Sequence, residues 1–223
     1  LITIDVSLEE WRNWYGQQDG HAAVIPSFLS YKNHLSKLPK DADEIGAFAT
    51  PRSWAKLGRL YEVAIRTGNL LEVAGGLVGQ GVAIEFQSFV NTRAALIPPE
   101  EILRDPIGKI PNPRTYLDTP DKSWAAMTGI AEVAAAWHVK GGKDGKAAPG
   151  QLLLAMAHLS TGNREYAPVA INTFAANAKN ARKAIDTLVE VYKRDFLPKD
   201  GAHHNQQVID LMNYCIETMS VKK

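Results

Sequence analysis

In the stretch "AFATPRSWAKLGRLYEVA" (residues 47–64), a cation stands where a helix end disfavours one. Thr50 has the chemistry of an N-cap, Pro51 suits the first helical position, and Arg52 follows inside the first turn. A helix N-terminus favours anions and disfavours cations by a few tenths to about 1 kcal/mol. Arg52 therefore either points into water or an ion pair, or meets something negative from outside. Three first-turn N–H groups beside a guanidinium would concentrate an anion site there.

The remaining chemistry-bearing residues are less organised. "GGLVGQG" (75–81) and "GGKDGK" (141–146) both lack the G-x-x-x-x-G-K-[ST] spacing that cradles a triphosphate. The first also lacks the third glycine of a dinucleotide fingerprint, so Gly75, Gly76 and Gly79 read as a turn before a closely packed helix. Glu85 within that helix reads as a solvated or hydrogen-bonded carboxylate, since unpaired buried carboxylates are rare. No H-E-x-x-H, paired C-x-x-C or G-x-S-x-G occurs. His203 and His204 are adjacent, and adjacent residues do not share a helix face, so no metal site is expected. Trp11 with Trp14 and Trp124 with Trp137 lie at core spacings and read as packing residues. No basic stripe is evident, and Lys193, Arg194 and Lys199 suit a solvated helix end.

Helices must position these groups. "SLEEWRNWYGQQ" carries a capping box, Ser7 with Glu10, followed by Trp11, Trp14 and Tyr15 on one face. Ile25, Phe28, Leu29 and Leu35 predict a helix within 22–38, with Pro26 in its first turn. Trp54, Leu57, Tyr61, Ala64 and Ile65 predict the helix after Pro51, closed by Gly68. Another starts near Val78 and runs through Phe86 and Phe89. Six prolines make 97–120 irregular apart from a turn at "PPEEIL". Trp124 to Trp137 form a helical stripe, and "KGGKDGKAAPG" (140–150) reads as a flexible connector. Helices follow near 151–159 and 166–178, then one through Ile185–Tyr192 and a last one through Val208–Met219. "LITIDV" alternates as a short strand, whose unpaired backbone needs a sheet from outside this sequence.

Composition sets the class. The 223 residues are 45% hydrophobic and 22% charged, ordinary for a globular protein of one large or two small domains. A net charge of +1 gives no global pull toward nucleic acid or anionic membrane. The single cysteine, Cys215, excludes an internal disulfide and suits a reducing compartment. No apolar run approaches the ~20 residues of a membrane span, and no signal-peptide pattern is present, so a cytoplasmic protein is expected. A first residue of Leu1 rather than Met suggests a longer parent chain.

From residue 1 to about 120 the motif order resembles the C-terminal part of MoxR-like AAA+ ATPases of the bacterial and phage branch. The order is "LITIDV", "LEEWRNWYG", "HAAVIPSFLSYKNHL", "FATPRSW", "GGLVGQGVAIEFQSFV" and "IPPEEILRDP", with "FATPRSW" the most specific piece. The resemblance implies an all-α, lid-type helical bundle over 7–120, with residues 1–6 as the last strand of a missing ATPase core. Residues 121–223 match no motif and form additional C-terminal helices. It further implies that Arg52 is the sensor-2 arginine, reaching the γ-phosphate of ATP, with Thr50 at the same nucleotide edge. ATP and magnesium would be held in the complete protein, and no cofactor by this chain alone. The implied partners are the upstream ATPase core, neighbouring subunits of a ring and a protein substrate to be remodelled, with no membrane. The alternative is a helical adaptor or binding module without a nucleotide role. A third reading, a nucleic-acid-binding helical domain, is disfavoured by the near-neutral charge and the lack of a basic stripe.

Overall fold

The computed structural model describes residues 6–18, 22–36, 46–161, 163–178, 180–197 and 205–220. These residues are mostly helical, as expected, with thirteen α-helices among them. The strand expected over 1–6 falls almost wholly outside the described residues, and Val6 itself carries no strand. The expected His203–His204 pair and Lys199 also lie outside them. Two compact units divide the chain, Leu1–Thr92 and Arg93–Lys223.

The first unit is built from α1 (Leu8–Tyr15), α2 (Val24–Lys32), α3 (Pro51–Thr67), α4 (Leu70–Val78) and α5 (Gln80–Ala94), the last running just past the division. Phe28 is the centre of its core. Its ring lies 5.7 Å from Trp54, 5.2 Å from Phe86 and 5.7 Å from Phe89, in tilted or edge-on arrangements that suit the aromatic quadrupole. Ile25, Leu29 and Leu57 fill the space around it and are fully buried.

Two glycines have specific steric duties here. A Cβ on Gly58 would lie 2.0 Å from the Tyr15 hydroxyl oxygen, so the bare backbone of α3 is what lets α1 approach. Gly79, with φ 90°, separates α4 from α5, so the helix expected to start near Val78 begins at Gln80. A side chain there would also meet the Ala47 carbonyl at 2.6 Å. Gly75 and Gly76, expected in a turn, instead lie inside α4, where Leu70, Ala74 and Val78 bury its inner face.

The second unit contains α6 (Pro99–Arg104), α7 (Pro106–Lys109), α8 (Pro113–Tyr116), α9 (Pro120–Lys140), α10 (Gly142–Leu159), α11 (Ala167–Asn177), α12 (Ala181–Asp195) and α13 (Gln206–Ser220). The segment expected to be irregular holds three short helices, and a proline begins each of them as well as α9. Proline at the first helical position lacks only an N–H that has no helical partner, so these prolines start helices rather than break them. Alanines at 125, 126, 131, 134 and 135 are all buried on α9, and such small side chains let α10 and α11 pack closely on it.

The expected flexible connector at 140–150 is also a correction. Gly141 and Gly142 take positive φ and reverse the chain, and α10 begins at once. A Cβ on Gly145 would fall 2.5 Å from the Trp137 carbonyl, so this glycine serves a tight α9–α10 hairpin. Burial of Ala148, Leu152 and Met156 outweighs the low helix propensity of glycine and Pro149. Glu132, 8% exposed on α9, receives the Arg93 guanidinium with both oxygens, Nη1 to Oε1 at 3.0 Å and Nη2 to Oε2.

Candidate functional site

Three independent ties hold the start of α3. Thr50 Oγ1 accepts from the Ser53 N–H at 3.0 Å, while Ser53 Oγ accepts from the Thr50 N–H at 2.8 Å. The Trp11 indole donates to the Pro51 carbonyl at 3.0 Å. Trp54, fully buried, donates its indole N–H to the His34 carbonyl at 2.8 Å. Each tie removes freedom from a turn that would otherwise fray, and substituting such a cap by Ala typically costs about 1 kcal/mol.

Arg52 rides on this fixed turn and is exposed to solvent, with no ion-pair partner among the described residues. The amide side of the expected anion site is smaller than three first-turn N–H groups. Pro51 has no N–H, and that of Ser53 is taken by Thr50. Arg52's own N–H is what the capping box leaves, so an anion here would rest chiefly on the guanidinium. The Thr50 hydroxyl is engaged within the cap, where it shapes the turn.

Arg52 is not alone. Lys56, Arg59 and Arg66 are also exposed on α3, and at 100° per residue they fall on one stripe with it, interrupted by Val63. Beside the stripe is a groove of about 630 Å³. Its floor is Trp11, Pro51 and Ala55, its far wall is Val6 and Trp14, and Arg52, Lys56 and Arg59 form the rim. Trp14 is 46% exposed, although Trp11 and Tyr15 on the same helix are buried. The expectation that all three aromatics pack in one face holds only for the pair four residues apart, which stack at 4.5 Å. The one carboxylate among the described residues lining the groove, Glu10, accepts from the Ser7 hydroxyl at 2.7 Å and the Ser7 N–H at 3.0 Å. These bonds, the hydroxyl's first, hold its pKa below the usual value.

The basic stripe and the exposed Trp14 are what sequence reasoning missed. Both signals were present, as cations at i, i+4 and i+7 and a tryptophan one residue off its neighbours' face. The overall balance of +1 hid a stripe confined to one helix.

Elsewhere the chemistry is quieter. Glu85 is half-buried and lies 3.2 Å from His34 Nε2, as expected of a hydrogen-bonded structural carboxylate. The second unit has a cleft of about 230 Å³ between Arg114, Asp118, Ser123 and Tyr166, where Arg114 donates to the Thr161 carbonyl at 3.3 Å. Cys215 is buried, and burial pushes its thiol up to about 12, which leaves it neutral and unreactive. No cluster of three or more metal-binding side chains occurs among the described residues. None of the described helices is long and apolar enough to cross a membrane. No protein-family model, no curated protein and no solved structure matches the chain.

Proposed function

We propose that residues 7–120 form the helical lid of a MoxR-like AAA+ ATPase, in which Arg52 acts on the γ-phosphate as sensor 2. The observation that carries this is the mounting of Arg52: a charge left outside, on a turn fixed by a capping box and two buried tryptophans. An arginine that stabilises charge on a transferring phosphoryl group must be free to meet it and held so that little reorganisation is needed. An arginine whose purpose was structural would be paired or buried.

The base, the magnesium and the α- and β-phosphates would be held by an upstream core carrying Walker motifs. Residues 7–120 would close on the nucleotide and pass its hydrolysis to neighbouring ring subunits and on to a protein substrate in the cytoplasm. Arg52 would withdraw electron density from the γ-phosphate as water attacks and the bond to the β-phosphate oxygen breaks. This chain alone has no P-loop and should neither hydrolyse ATP nor bind it at micromolar concentration. The coding sequence upstream of Leu1 tests the reading. A strand followed by G-x-x-x-x-G-K-[ST] supports it, and a start codon with no ATPase core overturns it.

The basic groove favours a second reading, a helical adaptor that docks a partner through α1 and α3 without using nucleotide. Its rim extends two turns beyond Arg52, farther than one phosphate contact requires.

A further inference from the structure

We infer that the α1–α3 groove is a docking site for an acidic amphipathic segment of another protein. Its floor is apolar, formed by Trp11, Pro51 and Ala55, and the exposed Trp14 ring walls it. An open apolar surface of this kind lowers its free energy by being covered, and aromatic residues are the usual anchors of such contacts.

The charge on the rim says what covers it. Arg52, Lys56 and Arg59 span about 10 Å along α3 at 1.5 Å per residue, and Arg66 continues the same stripe. None of the four is ion-paired to a described residue. Glu10, across the groove, is bonded to Ser7 and offers the rim little neutralisation. The complement is a helix or extended segment with Leu, Ile or Phe on one side and Asp or Glu on the other. Its apolar side chains would enter between Trp14 and Ala55, and its carboxylates would meet Lys56 and Arg59. A single-stranded nucleic acid fits less well. It would need a series of aromatic platforms along a cationic track, whereas the groove offers one exposed ring and a largely apolar floor.

The site is independent of the nucleotide reading, because Lys56, Arg59 and Trp14 can be altered while Arg52 is kept. The test uses the full chain and three fluorescent probes at 0.15 M salt, followed by anisotropy. The first is a ~16-residue peptide with Leu at helical i, i+3, i+4 spacing and Glu elsewhere. The second replaces every Glu by Lys, and the third is an oligothymidylate of equal length. The acidic peptide should bind, and K56E/R59E should weaken it by about tenfold or more, from two lost pairs worth up to ~1 kcal/mol each plus repulsion. W14A should weaken it as well, while the lysine peptide should not bind. Lys56 and Arg59 are exposed, so K56E/R59E should melt as the parent does, and W14A is compared at a temperature where its melting curve shows it folded. No binding of the acidic peptide, equal binding of the lysine peptide, tighter binding of oligothymidylate, or indifference to K56E/R59E would each overturn the inference. Such a failure would leave the role of Arg52 standing, since ATP hydrolysis by the complete protein does not enter this assay.

Discussion

Trp54→Ala should be the most damaging single change in the first unit. The ring is fully buried between Phe28, at 5.7 Å, and Phe86, at 5.6 Å. Truncating a buried tryptophan or phenylalanine to alanine costs about 3–5 kcal/mol through lost transfer energy and the residual cavity. The substitution also strips the His34 carbonyl of its donor at 2.8 Å, and an unsatisfied buried acceptor costs about 1–3 kcal/mol. Water entering the cavity would recover part of that second loss, so a total of about 4 kcal/mol is expected. Trp54→Phe separates the two contributions. It keeps much of the ring, loses the N–H, and should cost about half as much. Amide hydrogen exchange read on α3 and α5 peptides reports the loss in the unit that holds the residue, with urea unfolding of the whole chain as the second measure. A loss below about 1 kcal/mol for Trp54→Ala would refute the argument that this ring anchors the start of α3.

Three further outcomes follow from the same contacts. Gly58→Ala should destabilise by about 1–2 kcal/mol, because overpacking against Tyr15 outweighs the gain of nearly 1 kcal/mol in helix propensity. Combining it with Tyr15→Phe should give less than additive loss in urea unfolding, and strict additivity would rule out the proposed clash. Thr50→Ala should cost about 1 kcal/mol and speed exchange in the first turn of α3, whereas Thr50→Ser should be nearly neutral. Native Cys215 should resist a disulfide-exchange reagent at pH 8 and react fully once unfolded. Because the folded thiol is raised from 9.0 to about 12, the unfolded chain loses its proton first. Stability from this group should therefore fall as pH rises above about 9, and a stability flat to pH 11 would contradict its burial.

Much of the helical architecture is legible in the sequence because its signals are local. The Ser7–Glu10 box, the Thr50–Pro51 start and the Gly68 stop all occur where composition places them. The misreadings concern residues whose role depends on a neighbour far along the chain. Gly145 reads as a linker residue until the Trp137 carbonyl lies against it, and Gly79 reads as a plain turn until Ala47 does. The prolines of 97–120 read as breakers because their number alone does not say that Pro99, Pro106 and Pro113 each begin a short helix. The division at Thr92 has no signal, since α5 runs through it without a glycine or proline. At the candidate site, the exposure of Arg52 follows from its place in the first turn. The isolation of its charge, the groove beside it and the exposed Trp14 depend on how α1 packs against α3, which no local pattern encodes.

Arg52 is proposed to work on a phosphate rather than on the fold, and Arg52→Ala in the complete protein, if that protein is the proposed ATPase, tests this most directly. Steady-state hydrolysis and thermal unfolding are measured on the same preparation, with Arg52→Lys beside it. The account predicts a loss of about 1000-fold or more in kcat, with stability unchanged to within about 0.5 kcal/mol. Lysine should restore little, because a point charge lacks the planar donor fork of a guanidinium. Unfolding of the alanine variant with hydrolysis per folded molecule intact, or hydrolysis that does not change, would contradict the account.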